Sequence, residues 1–329
     1  MWKSKQNIKF VDLFCGVGGI RLGMEKQGFG CVMSSDINIE CQKTYAANFN
    51  ETPLGDIHNI SLKQVPKHDI LCAGFPCQPF SISGKKLGFE DTRGTLFFEI
   101  CRIVKSKQPA VIFLENVKHL VHHDKGNTLN TIIYNLENLG YHVNWKVLNS
   151  LHFGVPQNRE RIVIIAAKKN KFDFSTLARS PQKKLIDFLD TVGEFEFLDK
   201  NEYTLLNDTK QQASSGLIFA GYRNKTIRKV GVRPQTEHLS RVHKQPNRIY
   251  SALGSHPTLP SQESSGRFFI LLPDNRVRKL TLKECWRIMG FPSDFNRPSS
   301  QSEQYKQLGN SVCVPMIEAV AEQIKKQFF

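Results

Sequence analysis

The eight cysteines of this 329-residue sequence include no Cys-x-x-Cys pair, and no cluster of Cys and His stands at zinc-ligand spacing. That argues against a zinc ribbon or finger and leaves no reason to expect a metal. The start, Met1-Trp2-Lys3-Ser4-Lys5-Gln6-Asn7, lacks the apolar core of a secretion signal, so the scattered thiols are expected to be reduced, in a cytoplasmic protein. No stretch of about 18 apolar residues occurs, which speaks against a membrane-spanning helix. Internal repeats and low-complexity tracts are lacking too. Acidic residues are scarce, 30 Asp and Glu against 45 Lys and Arg, for a net charge of +15. A polyanion is the expected partner, although charge alone does not separate nucleic acid from an acidic membrane face.

What the chain does have is alternation. Apolar runs at Lys9–Phe14, Cys31–Ser35, Ile70–Gly74 and Ala110–Glu115, bounded by Gly, Pro or charge, predict strands. Ile20–Gln27, Ile37–Asn48 and Leu96–Ser106 fit helices between them, and Tyr141–Leu148 and Arg161–Lys168 read as further strands. This order predicts an α/β fold, a mostly parallel sheet with helices on both faces. Past about Leu177 the pattern changes. From Gly221 to Arg248 there are eight Lys and Arg and one acidic residue, and helical periodicity fades. Regularity returns near Thr281, and Ile317, Val320, Ala321, Ile324 and Phe328 have the spacing of an amphipathic terminal helix. The expected organisation is an α/β domain, a smaller irregular basic domain, and a return to the first.

Four motifs carry chemistry. In Phe10-Val11-Asp12-Leu13-Phe14-Cys15-Gly16-Val17-Gly18-Gly19 an apolar strand runs into a glycine turn that opens a helix, the arrangement that lets a nucleotide-like cofactor approach the backbone. Asp36 follows the second strand, where a carboxylate can take ribose hydroxyls. The alternative for the turn is an ordinary strand–helix connection. Gly74-Phe75-Pro76-Cys77-Gln78-Pro79-Phe80-Ser81 places a thiol between two prolines at a strand's end, the face on which open α/β sheets bind ligands. Such a thiol is a nucleophile if its pKa is lowered, and an inert core thiol if it is not. The stretch from there to Thr95, with Gly84, Lys85, Lys86, Gly88, Arg93 and Gly94, has the length of a functional lid. Phe113-Leu114-Glu115-Asn116-Val117 puts a carboxyl at another strand's end, and Gln157-Asn158-Arg159-Glu160-Arg161 puts two guanidiniums beside a further strand. Singly these charges would be salt bridges or a solvated face. Together with Cys77 they suit attack on an electron-poor ring.

These residues resemble the bacterial DNA (cytosine-5)-methyltransferases of restriction–modification type, with motifs in matching order along nearly the whole chain. Phe14, Gly16, Gly18 and Gly19 resemble the family's cofactor turn. Asp36, Ile37, Asp56 and Ile57 resemble its adenosine-binding positions, joined by Pro76, Leu96, Asn310 and Ser311. Pro76-Cys77-Gln78, Glu115-Asn116-Val117 and Gln157–Arg161 look like its three catalytic motifs. Arg278-Lys279-Leu280-Thr281 through Gly290-Phe291-Pro292, and Tyr305-Lys306-Gln307-Leu308-Gly309-Asn310-Ser311-Val312, match its last two blocks.

The resemblance implies an S-adenosylmethionine-dependent, Rossmann-like catalytic domain over 1–184 and 304–329. A target-recognition domain with its hinge would occupy 185–303, its core at 185–277. It implies S-adenosylmethionine as cofactor, S-adenosylhomocysteine as product, no metal, double-stranded DNA as substrate, base flipping, a monomer, and a functional pairing with a restriction endonuclease. Catalysis would fall to Cys77, Glu115, Arg159 and Arg161. DNA contacts would fall to Ser83, Arg93, Gln245, Arg248, Tyr250 and Thr258, with phosphate contact or plain surface as the alternative. Asp36 stands where relatives more often carry Glu, Ile37 where a larger side chain packs the adenine, and Cys15 where Ala or Ser is usual. A tRNA methyltransferase of the same fold would carry Cys-Phe-Thr, which this sequence lacks. A regulator without catalysis would show erosion at Cys77 or Glu115, and a nicotinamide oxidoreductase would carry Gly-x-Gly-x-x-Gly in place of Gly-x-Gly-Gly.

Overall fold

The computed structural model describes residues 7–76, 96–225, 236, 238–261 and 269–329. The chain divides into two compact units. Met1–Leu148, Glu160–Ala178 and Met316–Phe329 form the first, and Asn149–Arg159 with Arg179–Pro315 form the second.

Six strands make one sheet in the first unit: β1 (Lys9–Leu13), β2 (Gly30–Ser35), β3 (Ile70–Gly74), β4 (Val111–Val117), β5 (His142–Asn149) and β7 (Glu160–Ala167), in the order β2-β1-β3-β4-β7-β5. The intervening β6 is a two-residue strand, Gln157–Asn158, of the second unit. β1 pairs in parallel with β2 on one side and β3 on the other, and β3 pairs in parallel with β4. β4 pairs antiparallel with β7, from Val111↔Ala167 to Val117↔Arg161. The sheet is mostly parallel, as expected.

The strand order explains where ligands belong. The chain runs outward from β1 to β2 and then returns across β1 to β3, so the order reverses at β1. In open α/β sheets the crevice beyond the carboxyl ends of the strands at such a reversal is the ligand site. The glycine turn leaves β1 there, and Phe75-Pro76 leaves β3 beside it.

Strands buried on both faces are apolar throughout, because neither side meets water. Ile70-Leu71-Cys72-Ala73 and Val111-Ile112-Phe113-Leu114 are wholly buried in this way. One face, through Leu13, Leu71, Ile112 and Leu114, packs on α3 (Leu96–Lys107) and α4 (Asn127–Asn138) through Phe97, Ile100, Val104 and Ile132. Each such aliphatic side chain contributes about 1.5–3 kcal/mol by leaving water. On the opposite face Phe10, Ile70, Cys72 and Phe113 are equally buried. There α1 (Gly19–Glu25) lies over the strand ends, with Ile20 beside Gly74. The C-terminal helix Val314–Phe328 approaches α1 so closely that a Cβ on Gly23 would overlap Ile317. Two links flank that contact: Lys26 to Glu318 at 3.0 Å, and Lys325 Nζ donating to the Gln27 carbonyl at 2.6 Å.

The second unit is more ordered than the sequence reading expects. β8 (Tyr203–Leu205), β9 (Phe219–Arg223), β10 (Arg248–Ser251), β12 (Phe269–Leu271) and β13 (Val277–Lys279) form a sheet in the order β13-β12-β10-β9-β8. Its pairs are antiparallel except for β10 with β12. A further two-stranded sheet joins β6 in parallel to β11 (His256–Pro257). Consecutive strand residues point to opposite faces. Ile249 accordingly packs with Phe269 and Val277, while Tyr250 packs with Leu217 and Phe219. Strands of three to five residues, set among basic and turn residues, give no periodicity for a sequence reading to find.

Past β13 the chain turns into the helix Leu282–Arg287 around a buried ion pair. Arg278 donates from both terminal nitrogens to Glu284, at 2.9 and 2.7 Å. Glu284 also accepts the Thr281 N–H, and Thr281 Oγ1 in return accepts the Glu284 N–H.

Candidate active site

β1 ends at Leu13, and the chain then reverses through residues that adopt the left-handed region: Phe14 at φ 55°, Gly16 at 54° and Gly18 at 88°. For Phe14 that conformation costs about 1–2 kcal/mol, which the surrounding hydrogen bonds must offset. Cys15 N–H donates to the Ser35 carbonyl and Gly18 N–H to the Cys15 carbonyl. Gly16 N–H donates to Asp36 Oδ2 at 2.8 Å, tying the ends of β1 and β2 together.

The two glycines serve different ends. A Cβ on Gly18 would overlap the Phe49 ring of α2 (Ile39–Phe49), so glycine is needed there for packing, whereas nothing lies within 4 Å of the Cβ position of Gly16. Gly16 therefore presents bare backbone to open space. Gly19 begins α1 and is buried.

Asp36 accepts one N–H on each carboxylate oxygen, from Gly16 and from Asn38 at 2.8 Å. Burial raises its pKa and those two hydrogen bonds oppose the rise. Ile37, next to it, is 71 % exposed, unusual for an isoleucine. The Asp36 N–H donates to the Leu54 carbonyl, which draws the segment from Leu54 to Ile57 toward the end of β2. Asp56 caps a 3-10 turn by accepting the His58 N–H at 3.0 Å, which holds its pKa below the usual carboxylate value, and Ile57 is buried beside it. Pro76 is exposed beyond β3, and Leu96 starts α3 half-buried against the core.

At the neighbouring strand ends stands the most distinctive pair. The register places Gly74 opposite Glu115 and Val117 opposite Arg161, so Glu115 and Arg161 are diagonal neighbours on one face of the sheet. Arg161 Nε lies 3.1 Å from Glu115 Oε1, with side chains 11 % and 9 % exposed. Burial lowers the Arg161 pKa and Glu115 opposes that shift. A Cβ on Gly74 would stand 3.7 Å from Glu115 Oε2, so the glycine keeps that side of the carboxylate open.

Asn116, on the other face, is buried and donates from Nδ2 to the Phe75 carbonyl at 2.9 Å. It pins the backbone that leads into Pro76. The sequence reading gave Asn116 no role of its own beyond its place in Glu115-Asn116-Val117. Cys77 lies outside the described residues, as do Ser83 and Arg93. Burial pushes the Cys15 and Cys72 thiols well up and those of Cys31 and Cys101 to about 12. None of these four is a thiolate at neutral pH.

One further carboxyl was not singled out from sequence. Asp12, fully buried in β1, has no hydrogen-bond partner at either oxygen among the described residues. Burial pushes its pKa up to about 8, against the attraction of Arg21. Arg21 is itself engaged with Glu25 and Glu51, each at 2.7 Å.

The remaining candidates belong to the second unit. Arg159 is wholly buried, and its guanidinium donates to three backbone carbonyls: Leu259 at 3.2 Å, Gly309 at 2.7 Å and Ser311 at 2.5 Å. Asn310 ends the helix Gln301–Asn310 and is exposed, and Ser311 is half-buried. Gln157, buried, donates to the Ile288 carbonyl at 3.3 Å, and Thr258 Oγ1 donates to the Asn158 carbonyl at 2.7 Å. Tyr250 is 3 % exposed in the core of its sheet. Arg248 donates from Nε to the His243 carbonyl at 3.1 Å, and Gln245 begins an exposed 3-10 turn.

The first unit thus brings Phe14, Gly16, Gly18, Gly19, Asp36, Asp56 and Ile57 to one set of strand ends, with Glu115 and Arg161 at the adjoining ones. Among the described residues no helix is long and apolar enough to cross a membrane, and no three or more His, Cys, Asp or Glu gather as a metal site would require.

Residues 8–326 match the family model described as C-5 cytosine-specific DNA methylase. The Type II methyltransferase M.HhaI of Haemophilus parahaemolyticus is 39 % identical over 336 residues, covering 98 % of this chain and 96 % of that protein. The Type II methyltransferase M.HaeII of Haemophilus aegyptius is 43 % identical over 316 residues, covering 95 % and 91 %. Among solved structures, the S. pombe Dnmt2 methyltransferase shares the fold with a TM-score of 0.68 at 19 % identity, covering 98 % of this chain and all of that one. With the glycine turn, the Asp36 carboxylate and the Glu115–Arg161 pair at one edge of the sheet, and with a match over nearly its whole length, the chain belongs to the C-5 cytosine-specific DNA methylase family.

Proposed function

We propose that this DNA cytosine-5 methyltransferase acts on one cytosine of a short, specific double-stranded sequence, with S-adenosylmethionine as methyl donor and a covalent bond from Cys77 to C6 of a flipped base. The observation that carries this reading is the Glu115–Arg161 pair, buried at the end of β4 and facing Gly74, three residues before Cys77.

The first unit's residues fit S-adenosylmethionine. Gly16 leaves its backbone open, the Asp36 oxygens each keep a lone pair for a ribose hydroxyl, and exposed Ile37 offers an apolar face to adenine. Phe14, Gly18, Gly19, Asp56, Ile57, Pro76 and Leu96 belong to the same set by motif order, as do Asn310 and Ser311. When bound, the sulfonium group supplies the electrophilic methyl that C5 takes.

The cytosine ring is a poor nucleophile until C6 carries an added electron pair. Enzymes that modify a base extrude it from the stack, and here Cys77 as thiolate adds to C6 of the extruded base. Glu115 holds or protonates N3 and stabilises the charge that develops on the ring. Arg161, held against Glu115, orients the base and favours the thiolate form of Cys77. Loss of the C5 proton and expulsion of Cys77 restore the ring. The scheme uses no metal. Residues 185–303 read the target, with Gln245, Arg248, Thr258, Ser83 and Arg93 toward DNA, and the enzyme works as a cytoplasmic monomer. The Type II names of the relatives support a modification role beside an endonuclease of the same target.

Bisulfite sequencing of plasmid from a methylation-deficient host expressing the chain tests this directly. Protection of one cytosine at every copy of one short motif is expected. Soluble protein with no protected cytosine overturns the reading.

A further inference from the structure

We propose that Arg159 is a positioning residue that clamps the target-reading segment to the segment carrying Asn310, so that DNA and cofactor bind cooperatively through one guanidinium. The inference rests on the proposed roles of Thr258 toward DNA and of Asn310 and Ser311 toward S-adenosylmethionine.

The geometry is specific. Arg159 is fully buried and its acceptors are main-chain carbonyls from two distant stretches. Leu259 directly follows Thr258, while Gly309 and Ser311 flank Asn310 on either side. A guanidinium is a rigid plane with its donors in a fixed fork. Three carbonyls bound to one such plane cannot shift independently.

The surroundings reinforce the link. Gly309 lies so close to the Pro260–Ser261 backbone that a Cβ would overlap it. The Thr258 hydroxyl binds the Asn158 carbonyl, and the Leu259 N–H donates to Gln157 Oε1 at 3.4 Å. Displacement of Thr258–Leu259 by DNA is thus transmitted through residues 157–159 to the carbonyls on both sides of Asn310. Three of the five guanidinium N–H groups are committed to these carbonyls, which ties Arg159 to the backbone on both sides.

The test uses the full chain and two probes, S-adenosylhomocysteine and a duplex carrying the target motif. In the unmodified protein each ligand tightens the other, by the same factor, as linkage requires. Arg159→Lys keeps the charge and loses the fork. The expected result is a folded protein in which both dissociation constants weaken about tenfold and the mutual tightening disappears, with kcat at saturation reduced much less. Unchanged dissociation constants overturn the proposal, whether kcat collapses or only the melting temperature falls. Thr258→Val removes one link of the same chain, is nearly isosteric, and should lose part of the tightening; it carries the test if Arg159→Lys does not fold. Failure of the unmodified enzyme to methylate DNA would count against the proposed function, whereas the S-adenosylhomocysteine titration of Arg159→Lys reads the clamp by itself.

Discussion

Arg161 Nε stands 3.1 Å from Glu115 Oε1 across the antiparallel β4–β7 pair, and neither side chain is more than 11 % exposed. The contact orients the carboxyl and supplies the positive charge that makes its burial tolerable. It also gives the two residues separable phenotypes. Glu115→Gln keeps size and loses the carboxylate, so on the proposed role at N3 kcat should fall by about 10²–10⁴ with cofactor affinity intact. Arg161→Ala strands a buried carboxylate, which should cost about 3–5 kcal/mol of stability. Single-turnover methyl transfer and denaturant melts on the two variants check both.

The two glycines of the turn should separate binding from folding. At Gly16 an added methyl meets no protein atom, so Gly16→Ala should fold with about 1 kcal/mol of left-handed strain while cofactor affinity falls. At Gly18 the methyl strikes Phe49, so Gly18→Ala should destabilise the fold by about 2 kcal/mol or more. Calorimetric titration with S-adenosylhomocysteine beside thermal melts distinguishes them; loss of stability at Gly16 with affinity unchanged would refute the assignment.

Asp12 predicts a pH dependence of stability. Its ordinary pKa is 3.8, and in the fold burial pushes it to about 8. Between those values the folded chain keeps a proton that the unfolded chain has lost, so the contribution is fully present below about pH 4 and is lost as pH rises toward 8. Asp12→Asn removes this slope. The variant should match the parent near pH 4 and exceed it at pH 8.5 by about 2–5 kcal/mol, as the size of the shift implies. Urea melts across that range should show the two stabilities diverging.

In the second unit, burial separates two residues that the family pattern groups together. Tyr250 fills a core with Leu217 and Phe219, so Tyr250→Ala should cost about 3–5 kcal/mol. Tyr250→Phe should leave both stability and target choice almost unchanged. Gln245 is exposed, and Gln245→Ala should leave the melting temperature alone while weakening discrimination at the target. Competition binding between target and non-target duplexes reads the difference.

The parts legible in sequence were those set by local pattern. Apolar runs that end in Gly, Asp or Glu, such as the stretches ending at Gly74 and Glu115, announced the strands and put the candidate groups at their ends. What stayed hidden depended on partners far along the chain. Nothing near Arg159 indicates that its acceptors lie at Leu259, Gly309 and Ser311, and the two arginines of Gln157–Arg161 looked alike although one faces Glu115 and the other carbonyls. The sheet of β8–β10, β12 and β13 was missed because its strands are too short to carry a period. Asp12 was overlooked because an acidic residue inside an apolar run is visible, whereas its lack of a partner is not.

The close approach of Gly23 to Ile317 joins opposite ends of the 329-residue chain. At about 5–20 residues per second, a ribosome delivers Ile317 on the order of half a minute after α1 has emerged. For that interval α1 lacks its packing partner, and the nascent chain carries an unfinished core. The glycine turn and Glu115 are synthesised early and become an enzyme late. Methylation should therefore need the helix Val314–Phe328, and a chain cut short before residue 316 should yield aggregate in place of a partly active methyltransferase.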